Sequence, residues 1–327
     1  MIHHDSLLVR LVKLIDRIPM PPPPAKRGRG RPKFYPDRLF LKALVIMIVR
    51  HLHKVNELRA VLEEPTPEMQ TLRSLLTEQG CYPCRRTWER RLKGIPESLP
   101  AQIGCLGRYL VALIQPWATC GRAAAVDSTV LRAKGGVWHK KDREKGVVPH
   151  SSIDTEAHWT KSGWHGWVYG WKLHIVATVA AVWIPLAAAL MPANEADNEV
   201  APALIGELPP DVRYLLGDIH YNAPNVRAAW ESEERSLVVP QYGSYPHDDE
   251  GKEVRRIFHE LRSRAIENFN EQFKAIFDAH GQVPTKGLTN TRRFALGAIF
   301  VYQLALLYRF EHKLDLRVGL KPFLKAA

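Results

Sequence analysis

Cysteine is scarce in this chain. Four residues in 327, Cys81, Cys84, Cys105 and Cys120, argue against a disulfide framework and fit a reducing compartment. Cys81 and Cys84 stand as C-x-x-C, half of a zinc site, but Cys105 and Cys120 are too far apart to be its partner pair. Acid is also in short supply. There are 34 Asp and Glu against 46 Lys and Arg, a formal net charge of +12, and the pI is near 9.6. Such an imbalance points to a polyanionic partner, DNA or RNA being the usual one. A basic solvated surface is the plainer alternative. Long charge-free runs are nearly absent. The one from Ile175 to Met191 is shorter than a span of ~20 residues, is broken by Pro185, and is rich in Val, Thr and Trp. It predicts two buried strands and no membrane helix. No internal repeat is present. The opening MIHHDSLLVRLVKLIDRI carries an early acid and predicts an amphipathic helix rather than a targeting segment.

Leu7, Leu8, Leu11, Leu14, Ile15 and Ile18 recur at helical spacing. Pro21 to Pro24 must be extended, and KRGRGRPK (Lys26 to Lys33) is a basic linker or arm. Residues 1–35 are therefore a helix plus an arm. Residues 36–120 predict an all-helical region, with helices over Pro36–Val61, Met69–Glu78, Thr87–Lys93 (Thr87 as N-cap) and Leu99–Trp117. The character changes at Ala123. AAAVDSTVLR predicts a strand with Asp127 near its end, residues 133–164 a long loop, and Trp167–Ala180 and Val182–Leu190 two adjacent strands. A helix over Asn194–Leu208, a strand over Val212–Leu216, a helix over Asn225–Glu234 and a strand over Ser236–Val239 follow. Long helices are expected over Phe258–Ala279 and Thr291–Phe310, with a loose tail beyond Val318. Three strands first and then alternating strands and helices make residues 121–315 a mixed α/β unit, a sheet covered by helices. Residues 316–327 form the tail.

Two acids close apolar strands. Asp127 follows AAAV, and Asp218 follows RYLL-Gly. Each would be presented by a buried strand to water and ligand. Glu267 lies instead on a helix, RSRAIENFNEQFKAIF, whose buried face is Ile266, Phe269, Phe273, Ile276 and Phe277. Two readings are open for it: a metal ligand beside phosphate-binding bases, or one member of an exposed ion-pair face with Glu271 and Lys274. Phosphodiester chemistry uses hard cations ~4 Å apart, and Mg2+ takes a few carboxylates plus water.

These segments resemble the insertion-sequence transposases of the DDE superfamily. VDST matches the first-acid motif at Asp127. GWVYGWKLHIVATV looks like the family's paired strands, and ALMPANEADN is similar to the stretch before the second acid. Glu267 and Lys274 match the third-acid helix, where a lysine follows the acid at that interval. The resemblance departs twice. Many relatives read Ala-Asp-x-Gly-Tyr-Asp where this chain has Gly217-Asp218-Ile219-His220-Tyr221-Asn222. Many also place arginine four residues before the third acid, where this chain has Ser263 between Arg262 and Arg264. The resemblance implies a ribonuclease-H-like mixed sheet with flanking helices, preceded by a helical DNA-binding region. It implies two Mg2+ ions, with Mn2+ as substitute, held by Asp127, Asp218 and Glu267. Cleavage at element ends and joining into target DNA would follow, with no covalent protein intermediate. Lys274, Arg264 and His220 would face phosphate. The expected partner is double-stranded DNA, bound by a homodimer or larger assembly in the cytoplasm at the nucleoid, with no membrane.

Other basic motifs point the same way. Arg29-Gly30-Arg31-Pro32 resembles the core of an AT-hook, which enters narrow minor grooves; a basic linker adding nonspecific affinity is the alternative. Arg85, Arg86, Arg90, Arg91 and Lys93 suggest the second helix of a helix-turn-helix, or a solvated basic face. Trp138 to Lys141, with Trp159, Trp164, Trp167 and Trp171, mixes aromatics with cations and suits base stacking or core packing. Rival functions are a metal-dependent nuclease that never joins strands, and a catalytically decayed transposase that only binds DNA.

Overall fold

The structure is a computed structural model that describes residues 5–22, 33–116, 122–163, 166–241 and 246–326. Its first helix, α1 (Leu7–Leu14), is capped by the Ser6 hydroxyl, which accepts from Val9 N–H. The apolar run expected as one helix over 36–61 is two, α2 (Asp37–Val49) and α3 (Val55–Leu62). Between them His51 takes φ 53°, a left-handed conformation that ends the first helix. Next comes α4 (Pro67–Leu75). The two helices expected between Thr87 and Trp117 are one, α5 (Arg85–Ile114), which runs through Pro96 and Pro100. Interior proline costs a helix ~3 kcal/mol. Burial of Trp88, Leu92, Leu99, Ile103, Leu106 and Leu110 along the same helix outweighs that cost. Thr87 is not the N-cap: Cys84 occupies that position, and the Thr87 hydroxyl lies 3.3 Å from its sulfur.

The sheet is mixed. Its strands are β1 (Ala123–Arg132), β2 (His158–Ser162), β3 (Gly166–Thr178), β4 (Pro185–Pro192), β5 (Tyr214–Leu216) and β6 (Ser236–Val238). The order is β2-β3-β1-β5-β6, with β4 also on β3. β4, β3 and β1 are antiparallel neighbours, whereas β5 and β6 run parallel to β1. Parallel pairing requires crossovers, supplied by α7 (Asp197–Gly206) before β5 and α8 (Pro224–Trp230) before β6. Three antiparallel strands followed by two parallel ones, with β1 central, make the ribonuclease-H-like α/β arrangement. Ile175 to Met191 is strand β3 passing into β4. The stretch 133–164 is not all loop, since it contains α6 (Lys140–Glu144) and β2.

Two further differences concern the C-terminal third. The helix expected from Phe258 begins earlier. It runs as α9 (Asp249–Arg262), a π turn (Ser263–Glu267) and α10 (Asn268–Ile276). The tail is not loose, because α12 (Leu320–Lys325) buries Leu320 and Leu324. The apolar helix α11 (Leu288–Glu311) is enclosed by protein, packing on α5, α2 and β4. One contiguous core runs from Leu8 through the sheet to Leu324. Close approach is built in at Gly107, where a Cβ would meet the Pro185 carbonyl at 2.4 Å. Gln303 secures the same contact by donating to the carbonyls of Ile103 and Pro185, both at 2.9 Å.

Candidate active site

Asp127 sits at mid-strand in β1, paired with Ile175 of β3, rather than near the strand's end. Side chains alternate across a strand. Lys172 and His174 reach Asp197 on α7, so the Asp127–Ile175 side is the opposite face. On that face α10 lies over the strand, and the Asn270 amide donates to Asp127 Oδ2 at 3.3 Å. Part of Asp127 reaches solvent, but protein surrounds it on most sides. Its carboxyl is pushed up to about 7, chiefly by burial. Asp218 and Glu267 raise it further, whereas Arg262 and the Ser128 N–H oppose the shift.

The three sequence-predicted acids therefore share one electrostatic neighbourhood. Asp218 follows the short strand β5 and caps a 3-10 turn (Ile219–Tyr221), accepting from His220 N–H at 2.9 Å. Glu267 closes the π turn and accepts from the Ser263 hydroxyl at 2.8 Å and from the Arg262 guanidinium. Among the described residues, no three His, Cys, Asp or Glu groups are gathered tightly enough to enclose an ion. Glu267 is turned to Arg262.

The remaining predicted residues divide. Lys274 is nearly buried, 3.5 Å from Glu271, two turns after Glu267 on the same helix side. Arg264 points away and pairs with Glu260 at 2.5 Å. His220 is exposed beside Asp218. Arg91 is committed elsewhere: it pairs with Asp37, donates to the Tyr35 carbonyl at 3.1 Å and lies 4.3 Å from the Phe40 ring centroid. Arg85, Arg86 and Arg90 are exposed on the first turns of α5. The connection from α4 spans Leu76–Cys84, longer than a helix-turn-helix turn of 3–4 residues. Arg29, Arg31, Cys120 and Trp164 lie outside the described residues. Trp171 is fully buried and Trp167 exposed.

Sequence reasoning gave no role to three neighbours of the acids, Arg262, Asn270 and Tyr221. Asn270 is 5% exposed, and its Oδ1 has no hydrogen-bond partner. Its only signal was a polar residue interrupting the apolar face between Phe269 and Phe273. Tyr221 is buried with an unpartnered hydroxyl; burial above all, and then Asp127, Asp197 and Asp218, hold its proton on, with Arg262 opposing.

A family model described as a transposase DDE domain matches residues 118–304, more than half of the 327-residue chain. No curated protein and no solved structure matches. The match covers the whole sheet, all three acids and most of α11, and the chain belongs to the DDE transposase family.

Proposed function

We propose that this chain cuts DNA at the ends of a mobile element and joins the freed 3′ ends to target DNA, using Asp127, Asp218 and Glu267. The observation that carries this reading is the convergence on Asp127: two acids from distant segments act on its carboxyl, and one arginine opposes them. Membership of the family makes DNA the partner and a nuclease or transposase the enzyme class.

The donors suit two Mg2+ ions, with Mn2+ as substitute. They are hard oxygens, and the buried Asn270 carbonyl oxygen still lacks a partner. Asp127 and Asp218 would hold one ion and share the second with Glu267. When bound, such ions supply Lewis acidity to the attacking and leaving oxygens of an in-line displacement. The chain's own residues do the rest. Asn270 orients Asp127. Arg262 offsets the summed negative charge and fixes Glu267. Lys274, shielded from water, faces a phosphate near the scissile bond.

The test is cleavage of a duplex carrying the flanking element end, in Mg2+, by wild type and Asp127→Ala. Metal-dependent cutting with joined products, lost in the variant while DNA binding persists, supports the reading. Cutting without joined products indicates a nuclease. Binding without cutting in either protein indicates a decayed copy acting as a DNA-binding protein.

A further inference from the structure

Away from the three acids, a cleft of about 450 Å3 opens where α3, α5 and α11 begin. Its walls carry His53, Lys54, Arg85, Lys93 and Arg293 against one carboxylate, Glu89, with Asn290 beside them. Arg85 is paired with Glu89 at 2.7 Å and Lys54 with Glu57 at 4.0 Å. Lys93 and Arg293 have no carboxylate partner among the described residues. Arg293 is the more telling of the two. It is half-buried, burial pushes its pKa down, and among the described residues its one hydrogen bond is to the His53 carbonyl at 3.0 Å. A guanidinium drawn partly out of water without a counter-charge is costly.

The helix ends add little to this field, since at α11 the Leu288 N–H already donates to the Glu156 carboxylate at 3.0 Å and the Gly287 N–H to Asp154 at 2.7 Å. What the cavity itself offers is a surplus of cations over the single carboxylate, Glu89, among its lining residues, and that surplus suits a tetrahedral anion.

Its place in the fold indicates which anion. Burial is the main cause of the lowered pKa of His53 and Glu57 opposes it, but Lys134, just past the end of β1, is near enough to add to the shift. A strand rises ~3.3 Å per residue, so the path from Asp127 to Lys134 spans ~23 Å. A duplex with a rise of ~3.4 Å per base pair covers that distance in roughly seven pairs.

We propose that this cleft seats a backbone phosphate of the DNA duplex, as an anchor separate from the three-acid site. The proposal rests on the transposase reading. It is tested with the full chain by measuring affinity for a short duplex across a salt series, for wild type, Lys93→Gln and Arg293→Gln. Each variant is expected to flatten the slope of log K against log salt by ~0.9, which is roughly eightfold weaker binding at 0.1 M salt. Lys93 is exposed, so its variant keeps the test open if Arg293→Gln fails to fold. Wild-type slope and affinity in Lys93→Gln and in folded Arg293→Gln would overturn the proposal alone. So would thermal stabilisation by inorganic phosphate that is lost in the variants while DNA binding is unchanged, because the site then takes free phosphate. A wild type that binds no duplex at any salt overturns the transposase reading and the cleft with it.

Discussion

Arg262 and Glu267 meet across the π turn, five residues apart, with Ser263 bonded to the same carboxylate from the intervening position. In an α-helix a partner four residues back faces the acid; the wider π turn moves that place to the fifth. An arginine that is one residue out of register with many relatives thus still reaches the third acid. Arg262→Gln is expected to slow metal-dependent cutting ~10–100-fold, the usual scale for a group that orients a ligand, with DNA affinity near wild type. Quench-flow cleavage alongside a binding isotherm checks this. An equal loss in both would make Arg262 a DNA contact instead.

Asn270 offers a second check on the same site. Its amide donates to Asp127, and its carbonyl oxygen is buried without a partner. Asn270→Ala is expected to weaken Mn2+ binding, read by the paramagnetic resonance of free Mn2+, by roughly tenfold. An unchanged Mn2+ isotherm would show that Asn270 has no part in the ion site.

His174 governs part of the stability on the other face of the sheet. It is buried, with its Nε2 unpartnered, and faces Asp197 at 3.5 Å and, beyond it, Lys172. Burial is the largest effect and pushes its pKa below the ordinary 6.5; Asp197 opposes that shift and Lys172 adds to it. The unfolded chain therefore takes up a proton below pH ~6.5 while the folded chain does not. This stability is complete above pH ~6.5 and is lost as pH falls toward the lower folded value, at up to ~1.4 kcal/mol per pH unit. Thermal melts of wild type and His174→Gln from pH 7.5 to 5 should diverge, with wild type falling faster. Parallel curves would show that His174 titrates normally.

Gly170 of β3 pairs with Arg132 of β1. A Cβ there would stand 2.0 Å from the Leu131 carbonyl oxygen. Backbone cannot yield as a side chain end can, so Gly170→Ala is expected to cost roughly 3 kcal/mol or more. Urea unfolding measures it, and a midpoint within error of wild type would refute the contact.

What the sequence by itself determined is the local and periodic part of the answer. Apolar runs leading into acids marked β1 and β5, and the strand-then-helix order pointed to the mixed sheet. Tertiary structure decided matters that depend on packing between distant segments. Proline at 96 and 100 reads locally as a break, yet burial along α5 carries the helix through both. The tail reads as loose, yet Leu320 and Leu324 find the core. The sequence put Arg264 forward and gave Arg262 no role, but the π turn sets Arg262 against Glu267 and turns Arg264 to Glu260, because a one-residue change in helical winding rotates every side chain beyond it. The cleft around Arg293 had no signature in the sequence, since its cations come from separate helices that only the fold brings together.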